Sequence, residues 1–478
     1  MVANPLAPLW LHEPLDANVL APGLWPAGSA RNDDGELTIA GVGVRELSER
    51  FGTPLYVIDE ADVRARAVEA LAAFTDAFGR VGASAKVYYA GKAFLSTQLA
   101  RWVAEAGLNL DVCSGGELAV ALAAGIAPDR LGFHGNNKSL AEIDRAVSVG
   151  VGTVVIDSEQ EIVQVAAAAQ RHGVVQRVRL RVNSGVHAHT HEFLATAHED
   201  QKFGVPLDQA ERLVAAIRAE RGLAFLGLHC HIGSQIFGSD GFAESAARVL
   251  DVHTRLLADG PVPELNLGGG FGIAYTSADE PMPLRELAIE IATAVAASCA
   301  RLGIAVPTVA FEPGRAIVGP AGLTLYTVGT TKPVGVAIDG GCADRLYVSV
   351  DGGMSDNARY VLYGADYSAR IADRVSDAAP ALVRIVGKHC ESGDIVVDAD
   401  YLPSDVAPGD LLAVPATGAY CWALSSNYNY LPRPAVVAVL DGDARVIVRG
   451  ETEGDLLIRD VGVPPAATES SSTTKEHP

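Results

Sequence analysis

"VYYAGKAFLS", residues 87–96, begins as a β-strand and places a lysine where that strand should end. Seven more apolar runs of strand character follow it, and Ala/Leu-rich stretches of helical period separate them. Eight alternations of strand and helix predict a (β/α)8 barrel, a TIM-like α/β fold. The predicted strands are 87–93, 108–114, 131–137, 151–157, 177–183, 224–233, 264–270 and 308–315.

A second domain follows the predicted barrel. After about residue 320 the segments become short and β-branched, with Gly, Pro and Asp between them, which indicates an all-β sandwich or barrel. The stretch "TPLYVID", residues 53–59, precedes the first barrel helix and is expected to add a strand to this domain. We expect an N-terminal segment at 1–59 that contributes to the β-domain, followed by the α/β barrel at 60–320. The β-sandwich domain is expected at 321–462 and a disordered tail at 463–478.

Composition excludes several classes of partner. The 478 residues carry a formal net charge of -21, which argues against binding to nucleic acid or an anionic membrane surface. The N-terminus lacks the pattern of a signal peptide, and no stretch reaches the length of apolar residues that a membrane span needs. The six cysteines form no C-x-x-C pair and suit free thiols, so we expect a cytoplasmic protein.

Lysine is rare in this chain, with seven among 37 basic residues. A lysine can form an imine and arginine cannot, so each lysine is a possible chemical group. Lys92 lies at the C-terminal end of a predicted barrel strand, where barrels place their active sites. The residues alone leave a structural role for Lys92 equally open, and Lys388 is the nearest competitor.

Two further motifs lie at predicted strand ends. "LNLGGGFG" carries a glycine loop that could approach a phosphate, although a tight barrel turn explains it equally well. "FEPGR" supplies Glu312 and Arg315, for which a partly buried ion pair is the structural alternative. An imine-forming lysine, a phosphate cradle, an arginine and a carboxylate are together what pyridoxal phosphate requires.

Nine motifs, in order along roughly residues 50–440, resemble those of diaminopimelate decarboxylases, a family of barrel-type, alanine racemase-like pyridoxal phosphate enzymes. The resemblance implies an α/β barrel followed by a β-sandwich, and a homodimer with shared active sites. It also implies decarboxylation of meso-2,6-diaminopimelate to L-lysine and CO2, the last step of lysine biosynthesis. The motifs are "YYAGKA", "DVCSGGEL", "HGNNKS", "HCHIGSQ", "LGGGFG", "EPGRAIVGPAG", "VDGGMSDNARYVLY", "GKHCESGD" and "GAYCWALSSNYN".

The resemblance also implies roles for residues around the cofactor. Lys92 matches the lysine that forms an imine with pyridoxal 5'-phosphate, and His231 matches the imidazole stacked on the cofactor ring. Glu312 matches the partner of the pyridine nitrogen. The matching phosphate contacts are Ser234, Gly269, Gly270, Arg315 and Tyr428.

Further matches concern the proton donor and the substrate. Cys390 corresponds to the family's acid, reaching the site from the other subunit, although a cysteine in such a loop is otherwise more often a small buried apolar residue. Glu391 corresponds to the residue that binds the distal ammonium of the substrate. The other implied substrate contacts are Arg315, Arg359, Tyr363 and Tyr428.

Some features leave alternatives open. His187, His189 and His191 would share one face of a strand as metal ligands do, but polar contacts in a loop are the preferred interpretation, and no metal is expected. Ala197 and Trp422 depart from the family pattern. The alternatives to the implied function are a decarboxylase of a D-amino acid or polyamine precursor on the same fold, and a catalytically idle cofactor-binding protein.

Overall fold

A computed structural model describes residues 4–186, 202–339 and 341–463. It confirms the eight-stranded parallel barrel, which closes where the eighth barrel strand pairs with the first, Phe311 opposite Val87. Each predicted run contributes one strand. The barrel strands are Ala85–Ala90, Asn109–Val112, Leu131–Phe133, Thr153–Ile156, Gln176–Asn183, Leu223–His229, Glu264–Asn266 and Thr308–Phe311.

Helices surround the barrel, and local sequence explains where several begin and end. In four successive turns from strand to helix, a serine accepts the backbone N–H three residues later and so caps the helix. Gly303, predicted as a C-cap, has φ of 68° and ends its helix in the left-handed conformation. The surrounding helices are Glu60–Arg80, Thr97–Glu105, Gly115–Ala123, Leu140–Val149, Glu159–His172, Ala210–Ala219, Asp240–Leu256 and Leu284–Leu302.

The β-domain includes a strand from before the barrel. Strand Leu55–Asp59 lies between strand Gly322–Ile338, with which it is antiparallel, and strand Ala435–Leu440, with which it is parallel. All five of its residues are buried. The remaining strands here are Gly341–Val350, Arg370–Ile371, Pro380–Val386, Ile395–Pro403, Leu411–Pro415 and Asp443–Val448.

Smaller elements complete the described chain. A three-stranded sheet and one helix precede strand Leu55–Asp59; they are Ser29–Arg31, Leu37–Ile39, Val42–Gly43 and Val44–Phe51. Strand Val205–Pro206 extends the barrel sheet, and the short helices are Arg315–Val318, Arg359–Tyr363 and Glu453–Leu457. Among the described segments, no helix has the length and apolar character to cross a membrane. His187, His189, His191, Ala197 and the tail after residue 463 lie outside the described residues.

Candidate active site

One cleft lies at the carboxyl ends of the barrel strands and brings together residues that are far apart in sequence. Because parallel strands end at the same rim, side chains that follow different strands converge there. The cleft is lined by Lys92, His231, Ser234, Glu312 and Arg315, together with Ala90, Gly233, Gly270, Phe271, Gly314 and Tyr420.

Lys92 lies in the 3-10 turn Gly91–Ala93, directly after the first barrel strand. Its side-chain nitrogen has no hydrogen-bond or ion-pair partner within the described chain, while its charge acts on neighbouring His231 and Glu117. Lys388 lies in a different pocket, beside Asp351. Of the two lysines that the sequence left in competition, only Lys92 lines the cleft.

The glycine loop after the seventh barrel strand packs too closely for side chains. A Cβ on Gly269 would collide with the backbone carbonyl of Glu312, and one on Gly270 with that of Gly233. Gly270 also has φ of 106°, which other residues rarely adopt. The N–H of Gly270 finds no partner among residues that the structure places, so this loop presents a backbone donor at a narrow point of the cleft.

Arg315 follows the eighth strand and is held from two sides. Its Nη2 donates to the hydroxyl of Ser234 at 2.8 Å, and its Nη1 donates to the hydroxyl of Tyr275. The guanidinium also lies over the ring of Tyr420, 4.6 Å from its centroid. These contacts fix a cation at the cleft with no carboxylate partner in the described chain, and such a cation suits an anionic group.

His231 is held as a neutral imidazole. Its Nδ1 accepts the N–H of Gly269 at 3.2 Å, which places the ring proton on Nε2. Burial, together with the positive charges of Lys92 and Arg181, lowers the pKa of His231 well below its usual value. At neutral pH the ring therefore adds no charge to the cleft and can face a planar aromatic group.

Glu312 is an ionised carboxylate despite its burial. Its Oε1 accepts the side-chain N–H of Asn266 at 2.7 Å and lies 3.0 Å from Nε2 of His229. Burial by itself raises the pKa of Glu312, but His229 and His134 outweigh that effect and leave the pKa well below its usual value. Glu312 can thus hold a proton on a basic atom placed next to it.

Behind Glu312 lies a polar layer that the sequence reasoning missed. Nε2 of His134 lies 3.1 Å from Asp111 Oδ1 and 3.6 Å from Glu312 Oε1, and the rings of His134 and His229 pack edge to face. Burial raises the pKa of Asp111 to about 6. His134 and His229 stand in the quoted motifs "HGNNKS" and "HCHIGSQ", and Asn266 in "LNLGGGFG", but the sequence reasoning gave these three residues no role.

Six predicted residues do not line this cleft in the single chain. They are Gly269, Arg359, Cys390, Glu391, Tyr363 and Tyr428, of which the last four are exposed. Cys390 and Glu391 are exposed on the loop after strand Pro380–Val386, and the N–H of Cys390 donates to Asn429 Oδ1 at 3.1 Å. Tyr428 is 41% exposed, and its ring stacks on that of His389 in the same loop region. Tyr363 is exposed at the end of helix Arg359–Tyr363.

Arg359, by contrast, is connected to the cleft through Tyr275. The guanidinium lies 4.3 Å from the centroid of the Tyr275 ring, and the hydroxyl of Tyr275 contacts Arg315. Both predicted substrate arginines therefore contact the same aromatic side chain.

The donor set fits pyridoxal 5'-phosphate. A lysine without a partner, a glycine cradle that a Cβ would fill, an anchored arginine and an ionised carboxylate surround one cleft. An aldehyde, a phosphate and a basic ring nitrogen are the groups that such residues would bind.

Comparisons with known proteins agree with this arrangement. Residues 64–319 match the family model of the pyridoxal-dependent decarboxylase pyridoxal binding domain. The diaminopimelate decarboxylase of Mycobacterium tuberculosis is 50% identical over 450 residues, covering 92% of this chain and 98% of the relative. That of Bacillus subtilis is 45% identical over 439 residues, covering 91% and 97%. The crystal structure of diaminopimelate decarboxylase from M. jannaschii in complex with L-lysine has a TM-score of 0.83 at 30% identity, covering 92% and 99%.

Proposed function

The chain belongs to the diaminopimelate decarboxylases of the pyridoxal-dependent decarboxylase family, and from this membership we propose that it decarboxylates meso-2,6-diaminopimelate to L-lysine and CO2. This reaction is the last step of lysine biosynthesis. The observation that carries the proposal is the convergence of Lys92, His231, Glu312 and Arg315 in one cleft at the rim of the barrel.

Pyridoxal 5'-phosphate, when bound, supplies an aldehyde that takes up the substrate amine and a ring that accepts the electrons left by departing CO2. Lys92 would hold the aldehyde through its side-chain nitrogen, and neutral His231 would face the ring. Glu312 would keep a proton on the ring nitrogen, because its ionised carboxylate forms a charge-assisted bond to that proton. Ser234, Gly269, Gly270, Arg315 and Tyr428 would hold the phosphate.

The substrate has a second amino acid group at its distal end, and other residues of the chain would bind it. Arg359 would pair with the distal carboxylate, and Glu391 with the distal ammonium. Arg315, Tyr363 and Tyr428 complete the proposed contacts. These groups do not react, and their role is to orient the carboxylate that leaves.

We also propose that the active form is a homodimer in which Cys390 of one subunit donates a proton to the substrate Cα in its partner's cleft. Exposure of the loop that carries Cys390 and Glu391 supports this arrangement. Exposed apolar side chains nearby support it too, since Val361, Leu362 and Tyr363 are each more than 40% exposed. The cysteines of the described chain are all free, which supports a cytoplasmic location.

Two measurements test the proposed function. Incubation with meso-diaminopimelate should release CO2 and L-lysine in equal amounts, whereas ornithine and lysine should be poor substrates because they lack the distal carboxylate. Borohydride reduction of the holoenzyme should attach the cofactor to Lys92, with Lys388→Ala as the control that keeps this label. Attachment to Lys388, or equal turnover of a monocarboxylate diamine, would contradict the proposal.

A further inference from the structure

Tyr275 lies between the two arginines of the site. It follows the glycine loop of the barrel, and only 4% of its surface is exposed. The face of its ring packs against Arg359 of the β-domain, and its hydroxyl accepts a hydrogen bond from Arg315. One side chain thus contacts both guanidinium groups and both domains.

Arg359 is a buried cation without an acidic partner. It is 5% exposed, and its Nη1 donates to the hydroxyl of Tyr367 at 2.6 Å. Across the described ranges no carboxylate forms an ion pair with it, and Nε and Nη2 have no hydrogen-bond partner there. Since burying an unpaired charge is costly, the aromatic faces offset the cost only in part, and an anion from a ligand would complete the site.

The position of Tyr275 is fixed by its own loop. Asp279 Oδ2 accepts the backbone N–H groups of Tyr275 and Thr276, both at 2.9 Å. Gln235 forms two hydrogen bonds with the backbone of Ile273, at 2.8 and 3.1 Å. The ring of Tyr367 also packs edge to face against Tyr275, with 5.0 Å between the ring centroids. The ring therefore cannot shift without breaking several contacts.

We propose that Tyr275 is a positioning residue that sets the spacing between Arg315 and Arg359 and thereby selects α,ω-diamino dicarboxylic acids of one chain length. The inference rests on the proposed function, because it takes the distal carboxylate of the substrate as the anion that reaches Arg359. A rigid spacer of this kind rejects a longer or shorter diacid, because the distal carboxylate would then miss the guanidinium.

The test measures binding of L-lysine and of cadaverine to the holoenzyme by calorimetry. L-Lysine retains the distal amino acid group of the substrate, whereas cadaverine lacks the carboxylate. Tyr275→Leu removes the ring against Arg359 and should weaken L-lysine binding by roughly 10- to 30-fold, the effect of a desolvated cation–π contact, with cadaverine binding changed less than about twofold. Tyr275→Phe keeps the ring against Arg359 but removes the hydroxyl that accepts from Arg315, so L-lysine binding should weaken by only about two- to fivefold.

Tyr401→Leu is the control, because Tyr401 is a buried tyrosine that packs on Leu382 and Ala399 of the β-domain. It should leave the affinities for both ligands unchanged. In steady-state kinetics, Tyr275→Leu should raise KM for meso-diaminopimelate more than it lowers kcat. It should also lower the ratio of kcat/KM for meso-diaminopimelate to kcat/KM for 2,7-diaminosuberate, which is one carbon longer.

The spacer inference is wrong if Tyr275→Leu weakens binding of cadaverine as much as binding of L-lysine. It is also wrong if Tyr275→Phe leaves L-lysine binding unchanged, or weakens binding of both ligands equally. The measurement on Tyr275→Phe decides the matter even where the leucine variant does not fold. Failure of the proposed function gives a different result, because wild-type protein would then release no CO2 from meso-diaminopimelate.

Discussion

The hydrogen bond from Asn266 to Glu312 offers a quantitative test of how the carboxylate is kept ionised. Asn266 is fully buried; its Nδ2 donates to Glu312 at 2.7 Å, and its Oδ1 accepts the N–H of Gly268 at 2.8 Å. A hydrogen bond to a charged group contributes about 1.5–3 kcal/mol. Asn266→Leu should therefore raise the pKa of Glu312 by about one to two units.

A second variant separates this electrostatic effect from damage to the glycine loop. Asn266→Asp keeps an acceptor for Gly268 but places a second carboxylate beside Glu312. Because two adjacent buried carboxylates cannot both ionise readily, the pair should retain a proton to a higher pH than Glu312 does in Asn266→Leu. In a pH profile of activity, the acidic limb should therefore lie at the lowest pH in wild type, at a higher pH in Asn266→Leu and at the highest pH in Asn266→Asp.

The assay is the pH dependence of kcat/KM for meso-diaminopimelate, with bound cofactor measured by absorbance at each pH. The acidic limb should move to higher pH as Glu312 becomes harder to ionise. If the leucine variant is impaired more than the aspartate variant, the loop contact to Gly268 explains the result and the electrostatic reasoning is refuted.

Three other predictions concern the distal site, the dimer and stability. Glu391→Gln should lower kcat/KM by roughly tenfold to a few hundredfold through one lost charge-assisted contact, with cofactor absorbance unchanged; an unaltered kcat/KM would remove Glu391 from the site. Mixing inactive Lys92→Ala and Cys390→Ala proteins should restore part of the activity through hybrid dimers, and no recovery after demonstrated subunit exchange would rule out action in trans. Burial lowers the pKa of His253 to about 4, so between pH 6.5 and 4 its imidazole stays neutral in the folded state but takes up a proton in the unfolded chain. Stability should fall by up to about 3 kcal/mol from pH 6.5 to 4, and urea unfolding of His253→Leu should show a shallower fall, whereas an identical slope would contradict the shift.

The sequence predicted the barrel well because each strand is a continuous apolar run with a turn at its end. All eight runs became strands, although several are shorter than expected; the run 131–137, for example, forms strand Leu131–Phe133. The β-domain was harder. Strand Gly322–Ile338 was expected to be short, but it continues through Pro333 because strand Gly341–Val350 pairs along its length. The composition of the segment alone cannot predict that pairing, because it depends on a second strand.

In the site, too, the sequence predicted what depends on local position and missed what depends on contacts between distant residues. Lys92, Glu312 and Arg315 were found because each follows a strand directly, and strand ends meet at one rim. Asn266, His134 and Tyr275 were missed because their importance depends on which side chains face each other after the barrel closes. No spacing along the chain encodes the 2.7 Å contact between Asn266 and Glu312.

Strand Leu55–Asp59 also constrains the order in which the chain can fold during synthesis. It leaves the ribosome before the barrel, yet its two neighbours in the sheet are Gly322–Ile338 and Ala435–Leu440. At ordinary rates of translation, on the order of a minute passes before the second neighbour is made. During that time the four apolar residues of this unpaired strand stay exposed beside a barrel that can already close. A nascent chain of this kind is a natural client for chaperones that shield strand edges. Moving the segment to the C-terminus by circular permutation would shorten the time for which the strand stays unpaired.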